Sequence, residues 1–135
     1  MIMKNTNVRV DFRIMGDEFD IQIINKELGL MPTISWNRGD FIRDTKRVHT
    51  YTAWIFSTGA EETLDINSQL KKVEKIFYPK EDILRVIQRK YDLEFCIDIV
   101  IAIENESPPA IYLNEDIVHF ASNIDARFDI DTYVN

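Results

Sequence analysis

The chain has 135 residues, 45% of them hydrophobic and 29% charged, with a formal net charge of −7. That composition describes one globular domain around one core and excludes both a disordered tail and a multidomain enzyme. At this length folding hides roughly two-thirds of the surface of the unfolded chain, enough to dispense with metal or disulfide staples. Cys96 is the only cysteine, so there is no internal disulfide, no CxxC redox pair and no thiolate zinc site, and a reducing cytoplasm is the expected compartment. The opening MIMKNTNVRVDF has no apolar run of signal-peptide length. Nowhere does the chain hold the roughly eighteen consecutive apolar residues of a membrane span, so neither secretion nor membrane insertion is expected.

Charge is distributed unevenly. Residues 91–135 carry one basic side chain, Arg127, against ten acidic ones, whereas residues 1–60 carry eight against seven. A surface built from the C-terminal third repels nucleic-acid phosphates and attracts a basic protein, because clustered charge of one sign steers association. The plainer reading is that surplus carboxylates keep the protein in solution.

In chain order, residues 8–14 alternate, with Val8, Val10, Phe12 and Ile14 on one side and Arg9, Asp11 and Arg13 on the other. This is the period-two pattern of a half-buried strand. A helix follows, with Phe19, Ile23, Ile24 and Leu28 at helical spacing, Asp17 as its cap or Asp20 capping or bracing its start, Gly29 at its left-handed end and Pro32 preventing continuation. Residues 34–47 read as a short strand and a polar loop around Gly39, and VHTYTAWIFS as a β-branched and aromatic strand ending at Thr58-Gly59. Two helical stripes come next, Ile66 to Phe77 and Ile83 to Tyr91. Tyr78-Pro79 separates them, with Pro79 in the first turn of the second.

LEFCIDIVIAIE gives the clearest strand, with Phe95, Ile97, Ile99, Ile101 and Ile103 facing one way, and its place is inside the sheet. AIYL reads as a short strand and Asn114 as the cap of a helix over EDIVHFASNI. ARFDIDTYV reads as a last strand with Phe128, Ile130, Thr132 and Val134 toward the core. The order is β-α-β-β-α-α-β-β-α-β. It specifies an α+β protein: a largely antiparallel, or mixed, sheet of five to six strands with helices packed on one face, in a single domain over residues 1–135.

Catalytic signatures are missing in specific ways. The four glycines are too far apart for a GxGxxG or P-loop, and neither HExxH nor GxSxG occurs. His49 and His119 lie on different elements without a third ligand. Cys96 stands beside Asp98, which raises a thiol pKa instead of activating it, and reads as a small buried filler. The basic residues of the paired helices, at i, i+4 spacings, read as a solvated outer face and not as a nucleic-acid patch. Asp129 and Asp131, two apart on a strand, share a face at roughly 6–7 Å, and Asp98 is placed on a neighbouring strand. Such oxygens suit Mg²⁺. The favoured reading pairs them instead with Arg9 and Arg13, so that no metal or cofactor is expected.

The segments FRIMGDEFD, LGLMPTISWNRGD, AWIFSTG and ASNIDARFDIDTYV resemble the bacterial family catalogued as domain of unknown function four-two-seven-nine. The likeness covers almost the whole chain. Gly16, Phe19 and Asp20 match its glycine and Phe-Asp, and Leu28, Gly29 and Pro32 its Leu-Gly and proline. Trp36, Gly39 and Asp40 match a tryptophan with Gly-Asp, Trp54 a second tryptophan, and Asp129, Asp131 and Tyr133 the closing strand. Where the family often has a glycine-rich loop, this chain has FIRDTKRVHTY. The resemblance implies a bacterial origin and a compact α+β fold, and no reaction.

Two functional expectations follow. The first is a non-catalytic, cytosolic protein-interaction domain, a monomer or homodimer, in its concrete form an immunity-type protein that neutralises a basic toxin through Asp98, Asp129, Asp131 and Tyr133. The second is a small-ligand or catalytic pocket with Trp36 and Trp54 as aromatic walls and Asp40, with Asp20, as the polar group.

Overall fold

Alternating apolar side chains in two long strands build the centre of the protein, a computed structural model describing residues 3–135; Met1 and Ile2, the start of the segment read as leaderless, lie outside the described residues. In β1 (Asn7–Gly16) the side chains of Val8, Val10, Phe12 and Ile14 have no exposure to solvent. β5 (Glu94–Ile103) runs antiparallel beside it, with Phe12 opposite Ile97 and Arg13 opposite Cys96. On the other flank of β1 lies β3 (Thr52–Ser57), and outside that β2 (Ile34–Trp36), both antiparallel. β6 (Arg127–Val134) pairs with β5 in parallel and closes the sheet order β2-β3-β1-β5-β6. The two-residue β4 (Glu61–Glu62) extends the ladder at the start of β1. The sheet is therefore six-stranded and antiparallel except for β5–β6.

All helices cover one face. α1 (Ile21–Leu28), α2 (Ile66–Phe77), α3 (Glu81–Tyr91) and α4 (Glu115–Asn123) bury Ile24, Leu70, Phe77, Leu84 and Phe120 against the apolar rows of β1 and β5. Phe12 stacks on Phe77 with ring centroids 4.3 Å apart. Each such large side chain removed from water contributes about 1.5–3 kcal/mol, which is why the alternation in β1 and β5 fixes their orientation. Between β3 and β4 the β1 ladder has a gap. Beside it the buried Gln69 of α2 donates its Nε2 to the Val8 carbonyl at 2.8 Å and also to the Gly59 carbonyl, tying α2 to the start of β1.

The helix ends follow from capping chemistry. Asp20, Asp65 and Asn114 accept hydrogen bonds from the backbone N–H of Gln22, Asn67 and Ile117, each worth about 1 kcal/mol. Asp20, not Asp17, caps α1: the helix begins only at Ile21, so Asp17 lies beyond the reach of its first free amides. Gly29 ends α1 at φ 65°, a conformation that disfavours a side chain. Pro79 falls in a 3-10 turn at Tyr78–Lys80 between α2 and α3, not in the first turn of α3.

Two further expectations are corrected. AIYL forms no strand; Ala110 makes a single bridge to Asp65, and Ile111 and Tyr112 are exposed, because no neighbouring strand extends far enough to pair with them. In β6, Phe128, Ile130, Thr132 and Val134 do face the helical side, but only Phe128 packs on the core. Ile130 and Val134 are 43% and 76% exposed, since β6 is the outermost strand and the helices do not reach over it.

Candidate interaction face

Because the helices occupy one face, the candidate site lies on the face they leave uncovered, where Met15, Ala53, Ile55 and Cys96 are buried in a small cluster with Trp36 and Tyr51 on the β2–β3 side and the β6 side stands open. The registers align them in rows. Asp11, Asp98 and Asp129 form one row across β1, β5 and β6, and Arg13, Cys96 and Arg127 form the next.

Arg13 joins the two rows. Its Nε lies 2.7 Å from Asp98 Oδ2 and its Nη2 3.8 Å from Asp129 Oδ2. The Nε–H is not aimed along the short contact, so this is an ion pair and not a directed hydrogen bond. Arg9 pairs with Asp11 on its own strand at 3.2 Å, and Arg127 with Glu94 at 3.4 Å. The ion-pair reading of the carboxylates therefore holds for Asp98 and Asp129, with Arg13 as their partner. Arg9 serves Asp11 instead, because on the sheet Val100 stands between it and Asp131.

Cys96 fills the space between these carboxylates. Its one thiol hydrogen is shared between Asp98 Oδ1, with Sγ at 3.2 Å, and Asp129 Oδ2, with Sγ at 3.3 Å. Burial first, and then the two carboxylates, push the thiol up to about 12, so it stays protonated and unreactive at neutral pH. Burial also raises the Asp98 carboxyl, with the Cys96 thiol and the Arg13 guanidinium working against that rise. Ligand atoms of Cys96, Asp98 and Asp129 lie within 4.8 Å of one another. The set fits a metal poorly, since the thiol is held protonated and the guanidinium of Arg13 already sits on the same oxygens.

The residues expected to meet a partner thus divide. All four, Asp98, Asp129, Asp131 and Tyr133, project from the uncovered face. Asp98 is buried beneath Arg13 and is unavailable to a partner, and Asp129 is half engaged. Asp131 and Tyr133 are exposed, and among the described residues no cation lies within 4.0 Å of Asp131. The surplus of acid in the C-terminal third is spread over several surfaces. Glu115 and Asp116, for instance, sit in the first turn of α4, where the helix dipole favours them.

The four residues expected to line a ligand pocket do not converge. Ser35 stands opposite Trp54 and Ala53 opposite Trp36, so the two indoles leave the sheet on opposite faces. Trp54 is fully buried beneath the helices and its indole N–H donates to Asn25 Oδ1 at 2.8 Å. Trp36 lies on the uncovered face, stacked on His49 with centroids 4.1 Å apart. Asp40 accepts from the Asn37 amide within its own turn, and Asp20 caps α1.

The sequence reading missed the cleft that the uncovered face does contain. Arg13, Met15, Tyr51, Glu94 and Arg127, with Gly16, Asp17 and Asp92, enclose about 520 Å³ at the end of β1. Its guanidinium groups are engaged by neighbouring carboxylates, which leaves its chemistry balanced between charges. Only the strand register brings these positions together, and no local motif announces them.

Among the described residues no helix is long and apolar enough to cross a membrane. Comparison with curated proteins and with solved structures gave no match. A family model described as a domain of unknown function, DUF4279, matches residues 6–135. The match takes in every strand and helix of the sheet and its cover, and the chain belongs to the DUF4279 family.

Proposed function

We propose that this protein is a non-catalytic interaction domain of the bacterial cytoplasm that binds a basic protein through the β6 side of its uncovered sheet face. In its concrete form it neutralises a basic toxin by lying over the toxin's active site. One observation carries the reading: Asp131 and Tyr133 stand exposed on the β6 side of the sheet face turned away from the helices, and Asp131 has no cation of its own among the described residues. An uncompensated carboxylate beside an exposed aromatic suits a cationic surface, because the charge steers the encounter and the ring adds contact area. The arginines of β1 and β6 neutralise the carboxylates deeper in the face, so attraction is concentrated at the outer strand.

The test is affinity capture from the native host with the wild type and with an Asp131→Lys, Tyr133→Ala variant, neither position being part of the ion-pair network. The reading expects a basic protein retained by the wild type and lost by the variant. Retention by both, or by neither, counts against it.

A further inference from the structure

The outer edge of β6 has a defined chemistry. The Asn135 amide donates to the Ile103 carbonyl at 3.0 Å, which sets the phase of the parallel ladder at its end. Carried back along the register, that phase points the backbone groups of Asp129, Asp131 and Tyr133 toward β5. Those of Phe128, Ile130, Thr132 and Val134 then point outward, where no described strand pairs with them. The edge is eight residues long, about 26 Å of open ladder.

We propose that β6 takes up an extended segment of the partner as a seventh strand, and that this segment alternates basic and apolar side chains; the inference rests on the interaction reading above. The pleat of β6 dictates the alternation. On the uncovered face an added strand meets Asp131 and the half-engaged Asp129, two positions apart, and opposite charges directly across a ladder are favourable. On the helical face it meets Ile130, 43% exposed, and Val134, 76% exposed, which call for apolar partners. Backbone hydrogen bonds supply affinity and the alternate side chains supply selectivity. Antiparallel self-pairing about Ile130 or Asp131 sets carboxylate against carboxylate, and self-pairing about Thr132 faces Asp131 with Tyr133 and leaves it without a cation, which a basic segment supplies. The opposite edge, β2, is only three residues long and offers no comparable ladder.

The probes are an eight-residue synthetic peptide of alternating lysine and valine, its block isomer with all lysines first, and the alternating peptide N-methylated at every residue so that neither of its edges can donate. The wild type is expected to bind the alternating peptide at least tenfold more tightly than the block isomer. N-methylation abolishes that preference. Thr132→Pro does the same, since it removes an outward N–H while sparing the bonds to β5. Asp131→Asn weakens both lysine peptides. Equal binding of the two isomers, or indifference to N-methylation, overturns strand addition; if Asp131→Asn still weakens binding, the acidic-surface reading survives. Binding of neither peptide, or no effect of Asp131→Asn, overturns both. The N-methylated peptide is used with the wild type, so the test does not depend on whether Thr132→Pro folds.

Discussion

Arg13 of β1 and Asp98 of β5 are 2.7 Å apart, and the other oxygen of Asp98 accepts the thiol hydrogen of Cys96 at 3.2 Å. One arginine thus compensates a buried carboxylate on the sheet face turned away from the helices. Arg13→Met leaves Asp98 buried and unpaired and is expected to cost about 2–4 kcal/mol. Adding Asp98→Leu is expected to recover part of that loss, because replacing both partners by apolar groups removes the uncompensated charge. Denaturant titration of the double-mutant cycle checks this. Millimolar Mg²⁺ is expected to leave the wild-type Tm unchanged.

The pH dependence of stability carries the signature of Asp98. Burial raises its carboxyl, so the folded chain holds this proton to a higher pH than the unfolded chain does. In the window from the ordinary value of about 3.9 up to the raised one, the folded state binds more protons, and this group's contribution to stability falls as pH rises. Glu74, also raised by burial, acts in the same direction. Urea midpoints measured from neutrality down through that window are expected to show a component that Asp98→Asn removes. An unchanged profile in the variant would contradict the assignment.

Cys96 is fully buried, with its thiol pushed up to about 12. In the folded protein it is expected to resist a thiol-specific disulfide reagent at mildly alkaline pH and to react at once in denaturant. Rapid labelling of the native protein would contradict the geometry.

Trp54 tests the helix side of the sheet. Its buried indole N–H relies on Asn25, so Asn25→Leu is expected to cost about 1–3 kcal/mol by stranding a donor. Tm and tryptophan fluorescence report it. Stability equal to the wild type would show that the N–H has another partner.

The contrast between Trp54 and Trp36 also marks how far the sequence can be read. Val8 to Ile14 and Phe95 to Ile103 announce their strands and inner faces, because burial at period two leaves one orientation. The common face of Asp129 and Asp131 follows from the same rule. The pairing of Ser35 with Trp54 does not: it depends on how the hairpin between β2 and β3 closes, and a shift of one residue decides whether two tryptophans share a pocket or oppose each other. Arg13 was readable as outward-facing, but its choice of Asp98 required the β1–β5 register. AIYL has strand composition and lacks a neighbour to pair with, which composition does not reveal.

Backbone amide exchange along β6 tests the central claim most directly. In the free protein the amides of Asp129, Asp131 and Tyr133 are expected to be protected and those of Ile130 and Thr132 to exchange fast, reflecting the paired and the open side of the strand. Saturation with the alternating lysine–valine peptide is expected to protect Ile130 and Thr132 as well. If Ile130 and Thr132 continue to exchange fast while the peptide is bound, the partner does not engage the edge of β6, and the account of how this face works is wrong.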